Sequence, residues 1–425
     1  MLLEMRPTAA FGLSLALLAI PANAQAPQPA GSPEPEAKHS GAPLGQFTAG
    51  PFIVTPTFKI GSLAVDTNVL YLRERRTDFV ASAGPGLDIA WPFLDHWKLD
   101  LQGTSEYFYF QRTKELRRWT GGGVASLLWK TTGTRATIST RLHRDFSRPN
   151  FEVDARVATN QRFGGAEFER DLGRLTLALT ASFSGTRVEP GQTFRGADLS
   201  TSLTVDLYLG QAELRYHLTP LTSILMEGGY QEDRFPKAQR RNFSQENAGL
   251  GFQTEGLFKG RVTAGVRRSQ LLGGGATKTQ PYLRGNLTQR MGRRFRLTER
   301  YEHDSTVSAF AIDGGLPTFE RRSLDAQLVI EITRRIDMRL GGARDRTISD
   351  GLVQVVADNG TVIKARRDDV AYVGRADLGM RLGRARTSVF ASYTTRESLF
   401  FSDFGIKGFQ AGARVDYAPQ SGTRK

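Results

Sequence analysis

Long runs of alternating apolar and polar residues dominate this sequence after its N-terminal part. In FQAGARVDY, residues 409–417, every odd position is apolar, whereas Arg414 and Asp416 stand between the apolar residues. Because a strand directs alternate side chains to opposite faces, such a segment has one oily face and one polar face. The pattern recurs in residues 77–91, 97–109, 174–183, 247–258, 323–332, 371–382 and 386–397. These segments run for about 10–14 residues, against about 5–6 in soluble strands, and none shows a helical period.

The connections between these segments alternate in length. Tight connections fall at residues 131–134, 170–174, 218–222, 257–261, 290–294, 333–337 and 382–386. Long connections fall at residues 66–77, 145–160, 187–200, 233–243, 304–321 and 347–369. Alternating short and long turns between tilted strands are typical of outer-membrane barrels, whose closure leaves no strand edge exposed to lipid. The sequence therefore predicts an all-β, transmembrane, up-and-down antiparallel β-barrel of about 18 strands over residues 48–417.

A soluble β-sandwich or β-helix is the alternative fold. Such a protein buries its apolar faces against each other and has short strands with turns every 8–12 residues or so. The strand lengths and the alternating connections favour the barrel. Aromatic residues near the predicted strand ends suit the interfacial girdles of a membrane barrel. They are Trp91, Trp97, Trp119, Trp129, Tyr216 and Tyr417.

The N-terminus indicates export. Arg6 precedes the apolar run AFGLSLALLAI and then PANA, which together predict a signal peptide over residues 1–24, cleaved after Ala24. An uncleaved anchor helix is the alternative. Residues 25–47, rich in Pro, Ala and Gly, predict a disordered linker, and residues 418–425 a short polar tail. The expected location is the outer membrane of a Gram-negative bacterium.

The composition of the chain indicates which kinds of partner such a barrel can bind. The formal net charge is +14, which favours anionic partners, and export argues against nucleic acid. Basic clusters lie in or near predicted long connections, at residues 73–76, 114–118, 237–241, 319–322 and 364–367. We expect contact with outer-membrane lipid, lipopolysaccharide phosphates or an acidic polysaccharide there; ordinary solvated loop charge is the alternative. The chain has no cysteine, so disulfides and thiolate sites are excluded.

The C-terminal segment resembles the assembly signal of outer-membrane barrels. That signal has a polar residue, a glycine, a hydrophobic residue and an aromatic residue at fixed spacing. Gln410, Gly412, Val415 and Tyr417 fill these places. The resemblance implies recognition by the barrel-assembly machinery. The tail APQSGTRK departs from the pattern, because such signals usually end the chain.

A second resemblance covers residues 51–93. Pro56, the DTNV of Asp66–Val69 and the stretch from Asp78 to Pro85 resemble the opening of a family of β-barrel porins. Members are often associated with exopolysaccharide export machinery. The resemblance implies a porin-like barrel and no catalytic residues.

Strand phase assigns one set of charged residues to the barrel interior. The predicted pore-lining residues are Arg267, Arg284, Arg290, Arg300, Arg339, Arg375, Arg381, Arg396 and Arg414, with Asp325, Glu331 and Asp377. The other half of the wall is expected to be slightly acidic. Charged rings select ions in pores, so we expect weak anion selectivity in a channel for passive diffusion or polysaccharide export. Charges that only pair and hydrate the wall are the alternative.

Two further questions concern closure and catalysis. The linker and residues 347–369 are the candidates for closing the bore. A closed bore would leave a non-conducting scaffold or adhesive surface protein as the alternative function.

His143 and His303 are the histidines considered for catalysis, but His303 and Asp304 should point to opposite faces of a strand. No nucleophile elbow, phosphate-binding loop or zinc spacing occurs. We expect no enzyme activity, no metal and no cofactor.

Overall fold

Eighteen long antiparallel strands form one closed barrel in a computed structural model of the chain. The model describes residues 42–43, 47–70, 75–149, 153, 155–194, 197–308, 312–313, 316, 318–356, 361–382, 385–398 and 405–417. The strands are β1 Phe52–Asp66, β2 Asp78–Phe93, β3 Trp97–Phe110, β4 Arg118–Thr131, β5 Thr134–Ser147, β6 Val157–Leu172, β7 Leu175–Val188, β8 Val205–Thr219, β9 Thr222–Arg234, β10 Phe243–Glu255, β11 Phe258–Leu271, β12 Thr277–Met291, β13 Phe295–Val307, β14 Thr318–Glu331, β15 Ile336–Val356, β16 Val362–Leu382, β17 Ala385–Ser398 and β18 Ile406–Tyr417.

The sheet closes between its first and last strands. Each strand pairs with the next in sequence, and β18 pairs with β1 through Gln410 opposite Asp66. The register of β1 shifts between Ile60 and Leu63, so inward positions change from odd to even numbers there. The predicted fold and strand number are confirmed. The signal peptide, most of the linker and the tail lie outside the described residues.

Short elements complete the described part of the chain. The helical turns are α1 Leu199–Ser202 and the 3-10 turns Lys114–Leu116 and Gln239–Arg241. The short strands are Ala42–Pro43, Phe47–Ala49, Thr193–Phe194, Ala197–Asp198 and Ile312–Asp313. Among the described residues, no helix is long and apolar enough to cross a membrane.

Short and long connections lie at opposite ends of the barrel. The connections after even-numbered strands up to β16 are two to four residues long and define the tight-turn end. Those after odd-numbered strands are longer and define the long-loop end. Because β1 starts and β18 finishes at the tight-turn end, both ends of the barrel segment lie on the same side.

The predicted long loop at residues 347–369 is wrong. Strands β15 and β16 each span 21 residues and continue as a hairpin to Val356 and from Val362. The β-branched residues of VQVV and TVI favour a strand, so the two strands extend through residues predicted as a long connection. We call residues 349–367 the mouth hairpin. The predicted tight turn at 257–261 is also displaced, because β11 already starts at Phe258.

The two faces of the wall differ as the alternation requires. Large apolar side chains are exposed on the convex face, for example Leu250 at 64% and Val389 at 59%. Charged side chains line the concave face, where they approach one another across intervening strands. The result is a tube with an oily exterior and a polar interior.

Candidate channel lumen and mouth

Strand phase, together with contacts between non-adjacent strands, identifies the inner face. Arg261 on β11 lies 2.5 Å from Glu213 on β8 and 2.5 Å from Glu227 on β9. Tyr282 on β12 donates a 2.9 Å hydrogen bond to the same Glu227. These residues share the strand phase opposite to that of the exposed apolar residues, such as Leu250 on β10, so they point into the lumen. A β-carbon at Gly249 would sit 2.1 Å from the Tyr282 hydroxyl, so glycine there leaves room for this reach.

A first arginine cluster surrounds Asp304 of β13. Its carboxylate accepts a hydrogen bond from Arg267 of β11 and bonds from Arg284 of β12, one of them 2.9 Å long. Arg267 and Asp304 are almost fully buried in the wall. Charge-assisted bonds of this kind hold neighbouring strands in register.

A second cluster surrounds Arg386 of β17. Its guanidinium donates to Asp337 of β15 at 2.6 Å and to Asp377 of β16. Arg414 of β18 donates to the other oxygen of Asp377 at 2.9 Å. These buried contacts join four strands next to the barrel closure. Nearby, Arg375 pairs with Asp325.

The predicted pore-lining residues lie on inward positions of their strands. Register places Arg290 opposite Arg296, Arg300 opposite Asp325, and Arg339 opposite Asp377. Glu331, Arg381 and Arg396 share the inward phase of β14, β16 and β17. Of the predicted assembly signal, Gln410 and Gly412 face inward, Val415 faces outward, and Tyr417 is the last residue of β18.

Arg386 and Asp337 were missed by the sequence prediction. Both fall inside the predicted tight turns 382–386 and 333–337, but the strands reach them. The alternation of apolar and polar residues could have revealed both. Arg386 lies two residues before Ser388 and Asp337 two residues before Arg339, so each continues the polar face of its strand.

The inner wall is divided into two oppositely charged parts. Among the described side chains of β11–β18, sixteen cations accompany eight carboxylates; the cations are Lys259, Arg261, Arg267, Lys278, Arg284, Arg290, Arg296, Arg300, Arg321, Arg339, Arg367, Arg375, Arg381, Arg386, Arg396 and Arg414. On β1–β10, seven cations accompany thirteen carboxylates; the carboxylates are Asp66, Asp78, Asp88, Asp100, Glu106, Asp145, Glu167, Glu169, Asp171, Glu213, Glu227, Asp233 and Glu255.

The cations nearest the tight-turn end are the most available ones. Arg290 and Arg296 are exposed and face each other across β12 and β13, with no ion pair among the described residues. The Arg381 side chain is 56% exposed, and its closest carboxylate, Asp337, is 3.9 Å away. These three guanidinium groups are therefore exposed in the lumen with little or no charge compensation from the described carboxylates.

The mouth hairpin reaches across the long-loop end. Val353, which is fully buried, belongs to one apolar cluster with Val153, Val157, Val188 and Leu199. The other members come from β6, β7 and the loops beside them, eight or nine strands away from β15 around a ring of eighteen. A contact between opposite sides of the ring has to pass over the bore. The hairpin therefore narrows this mouth.

A bulge and neighbouring loops hold the hairpin in place. The register of β15 against β16 shifts between Ile348 and Leu352, and bulges of this kind bend a strand. The short strand Ile312–Asp313 pairs with Leu352 and Val353. Arg241 donates a 2.9 Å hydrogen bond to the Ser202 carbonyl and another to the carbonyl of Ser308. Three long loops are thus linked above the lumen.

The helical turn α1 carries Leu199 into this apolar cluster. Its N-cap, Asp198, accepts bonds from the Thr201 hydroxyl at 2.6 Å and from the Ser200 amide at 2.9 Å. These hydrogen bonds hold the pKa of the Asp198 carboxyl below its ordinary value. The ionised carboxylate is thus the form that the N-cap hydrogen bonds favour.

The histidines considered for catalysis lie apart from each other. His303 faces outward and lies 2.9 Å from Glu320, whereas Asp304 faces inward. His143 lies on the inward phase of β5, with Asp145 two residues on. No group of three or more His, Asp or Glu residues suited to a metal ion occurs in the part of the chain that the structure describes.

Comparison with known proteins finds similarity among solved structures alone. No protein-family model and no curated protein matches the chain. OpdL of Pseudomonas aeruginosa is 14% identical, with 86% of this chain and 98% of that chain covered and a TM-score of 0.47. OccK2 of P. aeruginosa, solved with glucuronate, is 12% identical, with coverages of 85% and 97% and a TM-score of 0.47. The siderophore receptor PirA of Acinetobacter baumannii is 11% identical, with coverages of 86% and 66% and a TM-score of 0.46, so this chain spans about two thirds of that receptor's length.

Proposed function

We propose that the protein is a channel of a bacterial outer membrane, with a bore that favours small anionic solutes and a long-loop mouth narrowed by the mouth hairpin. The observation that carries this proposal is the charge division of the inner wall, cationic on β11–β18 and acidic on β1–β10. Opposite charges on facing walls create a transverse field, and exposed cations raise the local concentration of anions. Barrels of about 16–18 strands leave an aqueous channel.

The membrane location is supported by the outward face of the barrel. Exposed apolar side chains, such as Ile138 at 61% and Met226 at 54%, recur around the wall. A surface of this kind exceeds what a soluble monomer tolerates, and a closed barrel satisfies its backbone groups inside hydrocarbon. Export through the signal peptide of residues 1–24 and insertion by the barrel-assembly machinery are parts of the same proposal.

A narrower role in export of an acidic polysaccharide follows from the resemblance of residues 51–93 to the porin family. The basic loop residues support it, since Arg240 and Lys237 lie at the long-loop end. We propose no catalytic or cofactor-dependent role.

A non-conducting surface barrel is the second candidate. The contact of Val353 with the apolar cluster on the opposite side of the mouth favours it. In that case the long loops would act as a scaffold or adhesive surface, and the bore would stay closed.

Planar-bilayer recordings of the purified protein test both candidates. The channel predicts discrete conductance steps and a reversal potential of anion-selective sign under a KCl gradient. A clear preference for cations would overturn the anion path. Three proteins are recorded: the full chain, a chain without residues 25–47 and a chain with residues 350–366 replaced by Asn-Gly. Absence of conductance in all three would favour the non-conducting barrel.

A further inference from the structure

We propose that the outward face of β14 and β15 binds the phosphate of a glycolipid in the membrane leaflet at the long-loop end. The inference rests on the membrane location given under the proposed function. Three arginines lie together on this face: Arg322 is directly opposite Arg346, and Arg344 is opposite Leu324 one row nearer the tight-turn end. We call these three residues the outer arginine cluster.

The height of the cluster on the wall matches a lipid headgroup layer. Arg344 follows Ile336 by eight residues of continuous strand, which corresponds to roughly 27 Å along the strand and about 20 Å along the barrel axis. The apolar band of such barrels is about 25 Å tall. Leu324 and Leu340, exposed on the same face, belong to this band. The cluster therefore lies at the upper edge of the band.

Ion pairing leaves one of the three guanidinium groups uncompensated. Arg322 contacts Glu320 at 2.6 Å, and Arg346 contacts Asp368 at 2.7 Å. Arg344 has no hydrogen bond or ion pair among the described residues. An unpaired cation beside two others is unfavourable at the edge of hydrocarbon unless an anion joins it.

The chemistry of the site suits a phosphate. A guanidinium group presents its donors in a planar fork that matches phosphate oxygens. Tyr301 and Tyr372 occupy the same outward row as Leu324 and Arg344, on the flanking strands β13 and β16. Tyrosine at the membrane interface keeps its ring in the apolar layer and its hydroxyl toward the headgroups. Because lipid surrounds this face, the anion that reaches it is a headgroup phosphate.

A second group of outward arginines is neutralised by carboxylates of the protein itself. On β6–β8, Arg187 contacts Asp206 at 2.6 Å and Arg162 contacts the same carboxylate at 3.4 Å. On β9, Arg234 contacts Glu232 at 2.5 Å. Each of these arginines has a carboxylate within the protein, so an external anion is less needed there. The outer arginine cluster differs by Arg344.

Native mass spectrometry of the full protein in detergent tests the site with a diacylated glucosamine disaccharide carrying one phosphate. The same glycolipid without phosphate is the comparison ligand. Wild-type protein should retain the phosphorylated glycolipid preferentially. Arg344→Gln should lower its apparent affinity about tenfold, the effect expected for losing a charge-assisted hydrogen bond. This variant breaks no ion pair among the residues that the structure describes.

Arg268→Gln is the matched control, because Arg268 is also outward and exposed but lies opposite Glu246. It should bind the glycolipid as the wild type does. Unchanged binding by Arg344→Gln, or equal binding of both glycolipids by the wild type, would overturn the site. Conductance is recorded in parallel, so loss of the lipid site with normal conductance leaves the channel proposal standing.

Discussion

Ion pairs taken from the two parts of the inner wall differ in burial. On β1–β10, the pair Lys98–Asp100 joins positions two apart on one strand and is substantially exposed, with side-chain exposures of 47% and 30%. On β11–β18, Arg267 and Arg386 are 3% and 9% exposed and bind carboxylates of other strands. Burial therefore separates two classes of arginine. Buried ones hold the wall together, and exposed ones such as Arg290 remain available to a solute.

The largest expected effect comes from breaking the contact that joins the two parts across the mouth. The mouth hairpin belongs to the cationic part, and its Val353 packs against β6 and β7 of the acidic part. Val353→Asp places a carboxylate in an apolar cluster, which costs several kcal/mol unless the hairpin moves away. We expect single-channel conductance to rise several-fold.

Leu352→Asp is the control for this variant. Leu352 is the adjacent residue and is 48% exposed, so the same charge there should leave the conductance at the wild-type level. Equal conductance of the Val353→Asp and wild-type proteins would show that the hairpin does not limit the current.

The second effect concerns the buried class of arginine. Arg386→Gln leaves Asp337 and Asp377 buried without their shared cation, and loss of one partner of a buried ion pair costs about 3–5 kcal/mol. We expect unfolding in urea, followed by tryptophan fluorescence and gel mobility in detergent, at a clearly lower midpoint than for the wild type.

Arg381→Gln, which removes an exposed arginine of the same cluster, is the control for Arg386→Gln. Its side chain is 56% exposed and lies 3.9 Å from Asp337, so its removal should cost less than about 1 kcal/mol. If both variants unfold at the same urea concentration, burial does not distinguish the two classes.

Alternation was enough to predict the barrel and the inward phase of its charged residues. Arg290 and Arg414 follow from period-2 counting, because register in a closed sheet is fixed by which face meets lipid. The strand number was also predictable, because each tight connection marks a hairpin. Local pattern therefore determined the architecture.

The side-chain pairing and the hairpin structure of residues 349–367 could not be predicted in this way. The contact of Arg261 with Glu213 depends on curvature that brings β8 and β11 together, and no spacing in the sequence encodes it. Residues 347–369 were predicted as a long connection and as a candidate for closing the bore, but not as a hairpin. The position of Val353 depends on contacts with strands far away in sequence. Such long-range packing depends on the whole ring.

The third effect concerns the exposed class of arginine. Arg290→Glu combined with Arg296→Glu reverses the charge of two facing lumen residues that have no ion pair among the described residues. We expect the chloride-to-potassium permeability ratio, measured from the reversal potential in a KCl gradient, to fall several-fold. High salt should weaken the difference, because it screens exposed charges.

Arg170→Glu is the control for net charge. Arg170 lies near the tight-turn end on the outward phase of β6, opposite Leu177. Its reversal should leave the permeability ratio unchanged. A shift about half as large in Arg170→Glu, in proportion to its smaller change in charge, would mean that total protein charge, rather than the cationic wall, sets the selectivity.

The smallest expected effect is a pH dependence of the contact between the two parts, transmitted through α1. Hydrogen bonds from Thr201 and Ser200 lower the folded-state pKa of Asp198 below its unfolded value. Its contribution to stability is therefore present above the unfolded pKa and is lost as the pH falls through the folded pKa. Since α1 positions Leu199 against Val353, acidification should raise the conductance of the wild type slightly.

Asp198→Asn removes this ionisation, so it should show a smaller rise in conductance between pH 7 and pH 3 when both proteins are recorded in the same salt. Other carboxylates titrate in both proteins, and the difference between the two curves isolates Asp198. Superimposable curves would show that the cap does not control the mouth.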